Sequence, residues 1–264
     1  MPSRILHVSD LHVGARDDPI LERALRELAE ASEPSLVLAS GDLTHRGRPD
    51  QHARAAALLR SLEAPVLAVP GNHDIPYSLP ARVVSPWARF EAEWGTTEPV
   101  HDAPAVYAVG VNSVRPWRHQ SGAVSDAALA RVASRLADAP AGALRVVVLH
   151  HQLIGAPWRT RKRPVADRTR VLSLLVDAGA DLVAGGHIHQ AAVSERHEFE
   201  VVEGELRSTV VAVAPGLGRP RPSRRGEARG ALVYRVEEHA LEVETHIWHG
   251  DGFRLTASRT FARG

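Results

Sequence analysis

The first two-thirds of the chain alternates between two hydrophobic periods. Residues 5–9 form a short, nearly unbroken apolar run, the signature of a strand covered on both faces. Residues 20–31 place Ile20, Leu21, Ala24, Leu25 and Leu28 at three- and four-residue spacing, which predicts an amphipathic helix. The pattern repeats with a strand at 36–39, a helix at 51–62 and a strand at 66–69 that Pro70-Gly71 stops. Strand–helix–strand alternation of this kind predicts parallel strands joined by right-handed crossovers.

The middle is less regular. Residues 80–94, with their prolines and tryptophans, predict a loop or short helix, followed by a strand at 105–111. A helix is predicted at 125–137 with Ser125 or Asp126 as its cap, then a strand at 145–149, a helix at 165–178 ended near Gly179, and a strand at 181–184. After His189 the spacing changes to two. Residues 191–202, 206–213, 231–237, 241–248 and 253–260 read as strands of antiparallel hairpins, with turns at Gly204 and Gly250-Asp251-Gly252. Residues 215–229, rich in Gly, Pro and Arg, read as a loop, and no repeat or long linker divides the chain.

Composition narrows this little. A length of 264 residues fits one large domain, 1–264, and 44% hydrophobic with 24% charged residues is ordinary for a globular protein. There is no cysteine, so a metal would be bound by nitrogen and oxygen alone. A net charge of +1 gives no global attraction to nucleic acid or anionic membrane, so no stable nucleic-acid complex is expected. No apolar stretch approaches the ~20 residues of a membrane span. Met1-Pro2-Ser3-Arg4 runs straight into the first strand without a leader-like apolar core, so a cytoplasmic location is expected. The composition is compatible with a homodimer and does not specify one. Lys162 is the only lysine, the remaining positive charge being arginine. Of the 15 histidines, His52, His119, His239 and His246 read as surface or packing residues.

Candidate chemistry sits at the ends of the apolar runs: Asp10-Leu11-His12, Gly41-Asp42, Gly71-Asn72-His73-Asp74, His150-His151 and Gly186-His187-Ile188-His189. In open α/β sheets, functional groups gather beyond the carboxyl ends of strands, which would bring these distant positions into one crevice. Residues two apart in an extended segment face the same way, so Asp10 with His12, and His187 with His189, can address one site. Any one of these motifs alone is an ordinary turn or strand end. Five together supply carboxylates, an amide and imidazoles enough for two adjacent divalent metals, which activate water and neutralise a phosphate ester. Mixed oxygen and imidazole donors suit Mn, Fe, Zn or Co, as divalent or mixed-valence ions.

These residues, in this order, resemble the calcineurin-like metallophosphoesterases. The opening run through His12 is most similar to bacterial cyclic-nucleotide phosphodiesterases of that superfamily. The resemblance implies a four-layer αββα sandwich of two mixed β-sheets with a dinuclear centre. It implies that Asp10, His12 and His189 hold one metal, that Asn72, His150 and His187 hold the other, and that Asp42 bridges them. By the same resemblance His73 touches the substrate phosphate, Asp74 orients His73, Asn72 also faces substrate, and His151 stands behind the ligands. The implied activity is metal-dependent hydrolysis of a small phosphate ester, a cyclic nucleotide or related diester, by a hydroxide that bridges the metals. Two departures weaken the substrate assignment: Gln152-Leu153 follows the paired histidines where proline is common, and Ile188 stands where relatives carry threonine.

Two arginine-rich loops, 159–163 and 219–229, read most simply as solvated. Their functional reading makes Arg161 and Arg163 binders of a second phosphate, nucleotide or acidic headgroup. Trp117 and Trp158, also in loops, read as packing residues, base stacking being the other reading. Two further functions are weighed against the first: a DNA-processing nuclease of the same superfamily, and a non-catalytic scaffold that keeps the fold.

Overall fold

The computed structural model describes residues 3–118, 120–197 and 208–263. In chain order the elements are β1 (Ser3–Val8), α1 (Pro19–Ser32), β2 (Leu36–Ala39), α2 (Pro49–Arg60), β3 (Val66–Ala68), α3 (Ala81–Val84), α4 (Ala88–Trp94), β4 (Val100–Asp102) and β5 (Val106–Val111), then α5 (Asp126–Ala137), β6 (Leu144–Leu149), α6 (Arg168–Asp177), β7 (Leu182–Gly185), β8 (Ala192–His197), β9 (Ser208–Val213), β10 (Gly230–Val236), β11 (Ala240–Trp248) and β12 (Phe253–Ala262). They form two six-stranded sheets, ordered β12-β11-β10-β1-β2-β3 and β4-β5-β6-β7-β9-β8.

The two faces of each strand explain the layers. In β1, Ile5 packs between the sheets with Leu38, Val146 and Leu232, while Leu6 and Val8 face outward onto Leu25, Leu59 and Phe90 of the helices. In β6, Val146 and Val148 point inward, whereas Val147 and Leu149 face Leu129, Val132 and Val171 on α5 and α6. Both faces of the central strands are thus buried, which is why they read as unbroken apolar runs. The result is helices, sheet, sheet, helices: the αββα sandwich of two mixed sheets.

Helix boundaries follow local chemistry. Asp18 accepts a hydrogen bond from Leu21 N at 3.2 Å and Pro19 occupies the first turn of α1. Ser125 caps α5 by accepting from Ala128 N. Helix α6 begins at Arg168 rather than 165, because Val165 N and Ala166 N are drawn off to the Gln152 and Gly122 carbonyls.

The expectation of antiparallel hairpins after His189 is only partly met. β10, β11 and β12 form an antiparallel meander, and β8 pairs antiparallel with β9. β9, however, lies parallel to β7, and β10 pairs back onto β1. The expected Gly204 turn and the adjoining stretches 198–202 and 206–207 lie outside the described residues, as does His119. β4, three residues long, has no clear sequence signature. Among the described residues no helix is long and apolar enough to cross a membrane.

Candidate metal centre

β1, β2 and β3 run parallel in one sheet, and β6 and β7 run parallel in the other. Their carboxyl ends therefore deliver Asp10, Asp42, Asn72, His150 and His187 to one edge of the sandwich. All five are buried, as are His12 and His189.

Their donor atoms converge as two linked groups. His189 Nε2 lies 3.0 Å from Asp10 Oδ1 and 3.3 Å from His12 Nε2. His187 Nδ1 lies 3.1 Å from His150 Nε2, which is 3.4 Å from Asp42 Oδ1. The other oxygen of Asp42 lies 3.8 Å from His12 Nε2, so this carboxylate spans the two groups. Asn72 sits on the turn whose next residue, His73, donates its backbone N–H to Asp42 Oδ1 at 2.8 Å.

Hydrogen bonds on the far side of the His150 and His187 rings fix their orientation. His150 Nδ1 meets the Ser40 carbonyl at 2.8 Å, and His187 Nε2 meets the Gln120 carbonyl at 3.1 Å. Each carbonyl requires an N–H, so the lone pair of the opposite nitrogen faces the centre, the arrangement that metal-ligating imidazoles use. Asp10 Oδ2 is occupied by Ser9 Oγ at 2.7 Å and His187 N at 2.8 Å. Asp10 Oδ1, Asp42 Oδ2, Asn72 Oδ1 and His12 Nδ1 are buried with no hydrogen-bond partner. A buried acceptor with no partner at all costs ~1–3 kcal/mol, and a cation is what such a group of oxygens and imidazoles fits.

The backbone carries strain at the same positions. Of the eight non-glycine residues with positive φ among those described, five are Asp10, His12, Asp42, His187 and His189. Such conformations cost of order 1–3 kcal/mol and persist where the surrounding structure over-determines them. Glycine fulfils a steric role at two points: a side chain at Gly71 would strike the backbone and carboxylate of Asp42, and one at Gly186 would strike Ser9 Oγ and the Asp10 carboxylate.

Electrostatics matches a ligand set. Burial alone would raise the Asp10 and Asp42 carboxyls, but the surrounding His189, Lys162, His150, His73 and His12 hold both well below the usual range. Burial pushes His12, His151 and His187 well below the ordinary imidazole value, leaving neutral rings with lone pairs available. His150 is the exception. Burial opposes its charge, yet Asp42 and Asp10 raise it to about 9.

One expected contact is made by a different group. Asp74 does not hold the His73 ring. Its carboxylate accepts from Leu43 N, Thr44 N, Thr44 Oγ1 and Gly71 N, while His73 Nδ1 is held at 2.8 Å by the His45 carbonyl. Burial raises the Asp74 carboxyl, with Asp42 adding to the effect. Arg161 and Arg163 are exposed, whereas Lys162 between them turns inward, its Nζ 3.8 Å from Asp10 Oδ1. His151 hydrogen-bonds Ser113 Oγ at 2.9 Å, and its ring is tilted against that of His187 at 4.6 Å, so that His150, His151 and His187 also bring donor atoms together.

Sequence reasoning missed His45, whose ring lies 5.8 Å from that of His73, and Ser113. It also missed Lys162. Trp117 is 73% exposed rather than packed, while Trp158 stacks against Arg225. His52 is a packing residue as expected, its Nε2 3.0 Å from the Asp74 carbonyl, and His246 pairs with Glu244.

Such a sandwich, with a buried Asp, Asn and His cluster across its strand ends, defines a metal-centred phosphoesterase class. Residues 3–191 match the calcineurin-like phosphoesterase family, and the chain belongs to it. It is similar to a probable cyclic nucleotide phosphodiesterase of Rhodococcus erythropolis, 25% identical over 205 residues that cover 72% of this chain and 66% of that protein. A stretch of 100 residues is 30% identical to the DNA double-strand break repair protein Mre11 of Saccharolobus solfataricus, covering 31% of this chain and 26% of that one. The chain thus spans less than two-thirds of the length of either relative. In fold it is similar to a dimetal phosphatase from Danio rerio, with a TM-score of 0.66, 12% identity and 99% of both chains covered.

Proposed function

We propose that this chain is a metal-dependent phosphohydrolase that acts on small phosphodiesters, cyclic nucleotides or close relatives of them. The observation that supports it is the convergence of the buried Asp10 and Asp42 carboxylates with the His12, His150, His187 and His189 nitrogens, beside the turn that carries Asn72. Asp10, His12 and His189 would hold one ion, Asn72, His150 and His187 the other, with Asp42 shared. Two such ions supply an activated water and neutralise charge on the phosphate.

The chain's own residues then orient and protonate. The His45 carbonyl holds the Nδ1–H of His73, which leaves Nε2 as the nitrogen that donates to a phosphoryl or leaving oxygen when the ring is the imidazolium. Proton donation of this kind contributes ~10²–10⁴-fold. Asp74 acts one step back by tying Gly71, Leu43 and Thr44 into the turns that carry Asn72 and Asp42.

Metal analysis combined with hydrolysis of bis(nitrophenyl) phosphate tests the proposal. Wild type should take up two ions per chain and turn over. Asp42→Ala should lose metal. His73→Ala should keep metal and lose ~10²-fold or more in kcat. A wild-type protein that takes up no manganese, zinc or iron, or is inert with them, overturns the reading. The nuclease reading draws on the Saccharolobus solfataricus relative; a steep salt dependence of DNA binding would favour it.

A further inference from the structure

Lys162, the chain's only lysine, lies in the same centre as the metal-ligand candidates, yet neither metal chemistry nor the proton-donating role of His73 uses it. Its loop is built to aim it: the Lys162 backbone N–H is held by Thr160 Oγ1 at 3.1 Å, and residues 161 and 163 point to solvent on either side. That is the alternation of an extended segment. The side chain is only 11% exposed, and its Nζ faces Asp10 Oδ1, the oxygen that also lies 3.0 Å from His189 Nε2.

An ammonium and a divalent ion cannot share that oxygen, because two cations ~4 Å apart repel strongly in a buried site. Once Asp10 is committed to a metal, the ammonium needs another anion. Asp10 is the only carboxylate among the described residues paired with Lys162, so the replacement has to come from solution.

We propose that Lys162 is a substrate-binding residue: its ammonium leaves Asp10 when metal binds and then pairs with a phosphoryl oxygen of the bound ester and of the phosphate product. The inference rests on reading the site as a metal centre for phosphate esters. It also replaces Arg161 and Arg163 as the contact that loop 159–163 makes with substrate.

Having a single lysine makes the test direct. An N-hydroxysuccinimide acetate reagent can label only Lys162 and the chain's α-amino group, and the second serves as internal reference in mass spectrometry. The ratio of Lys162 to α-amino labelling should be low in the metal-free protein, rise severalfold with manganese, and fall again when inorganic phosphate is added to the manganese-loaded protein. Lys162→Met should raise KM for the phosphodiester and Ki for phosphate about tenfold, equal to about 1.4 kcal/mol, with the loss on KM rather than kcat and metal content unchanged. Lys162→Arg should restore most of the affinity.

Phosphate that fails to slow Lys162 labelling in the loaded protein overturns the inference, as does an unchanged KM in Lys162→Met. Failure of the parent reading is distinct, because it appears as absent metal uptake and absent turnover in wild type.

Discussion

At the scale of single residues, the His73 ring is positioned by a backbone atom, not by the neighbouring carboxylate. Nδ1 meets the carbonyl of His45, which any residue at that position would supply. His45→Ala should therefore retain most of kcat, while His73→Ala loses it, in steady-state assays on the manganese-loaded protein. Asp74 belongs to stability instead. In Asp74→Asn one oxygen becomes an NH₂ group set against the backbone N–H donors of Gly71, Leu43 or Thr44. Leaving one such buried donor unpaired costs ~1–3 kcal/mol, which a urea titration of the metal-free variant should read. Which residue types cluster was legible in the sequence, since each motif names its own side chains. That a carbonyl at position 45 orients His73 was not, because every residue carries a carbonyl and only the turn decides where it points.

At the scale of elements, the centre depends on strands that stop at the right place and on turns that pass close together. Asp10 lies two residues past β1, His150 one past β6, and His187 two past β7. Those endpoints were readable because the apolar runs break sharply at the motifs. The pairing of β9 with β7 was not readable, since an alternating strand looks the same whether its neighbour is parallel or antiparallel. The inward turn of Lys162 had a weak signal in the period of two along 161–163, which the greater number of arginines masked. Gly186→Ala should push Ser9 Oγ and the Asp10 carboxylate aside, so the variant should lose metal by elemental analysis while keeping its far-UV circular dichroism. Retained stoichiometric metal would show that the Ser9–Asp10 turn can relax.

For the molecule as a whole, stability should depend on acidity through buried imidazoles. His7 lies between the sheets, its Nδ1 2.7 Å from the Tyr234 hydroxyl and its Nε2 2.9 Å from Ser40 Oγ. Burial lowers it to about 3, with a small opposing effect from Asp10. The folded chain keeps His7 neutral while the unfolded chain protonates it near its ordinary value of 6.5. Its contribution is therefore intact above pH 6.5 and declines by up to about 1.4 kcal/mol per pH unit as pH falls toward 3. His12, His151 and His187, shifted in the same direction, steepen the slope in the metal-free protein, while His150, raised to about 9, opposes it between pH 9 and 6.5 and leaves it untouched below. Urea unfolding at pH 7.5 and 5.0 should show this loss, and His7→Gln should reduce it. An identical slope in the variant would mean that His7 does not take part.

The pairing of β1 sets the order in which the protein can mature. Asp10 lies just past β1, but its loop is clamped by Leu217 N on the Ser9 carbonyl and Gly218 N on the Asp10 carbonyl, and β1 is flanked on one side by β10. Fixing the turn that carries Asp10 therefore requires residues 217–218 and β10 to have folded back onto β1.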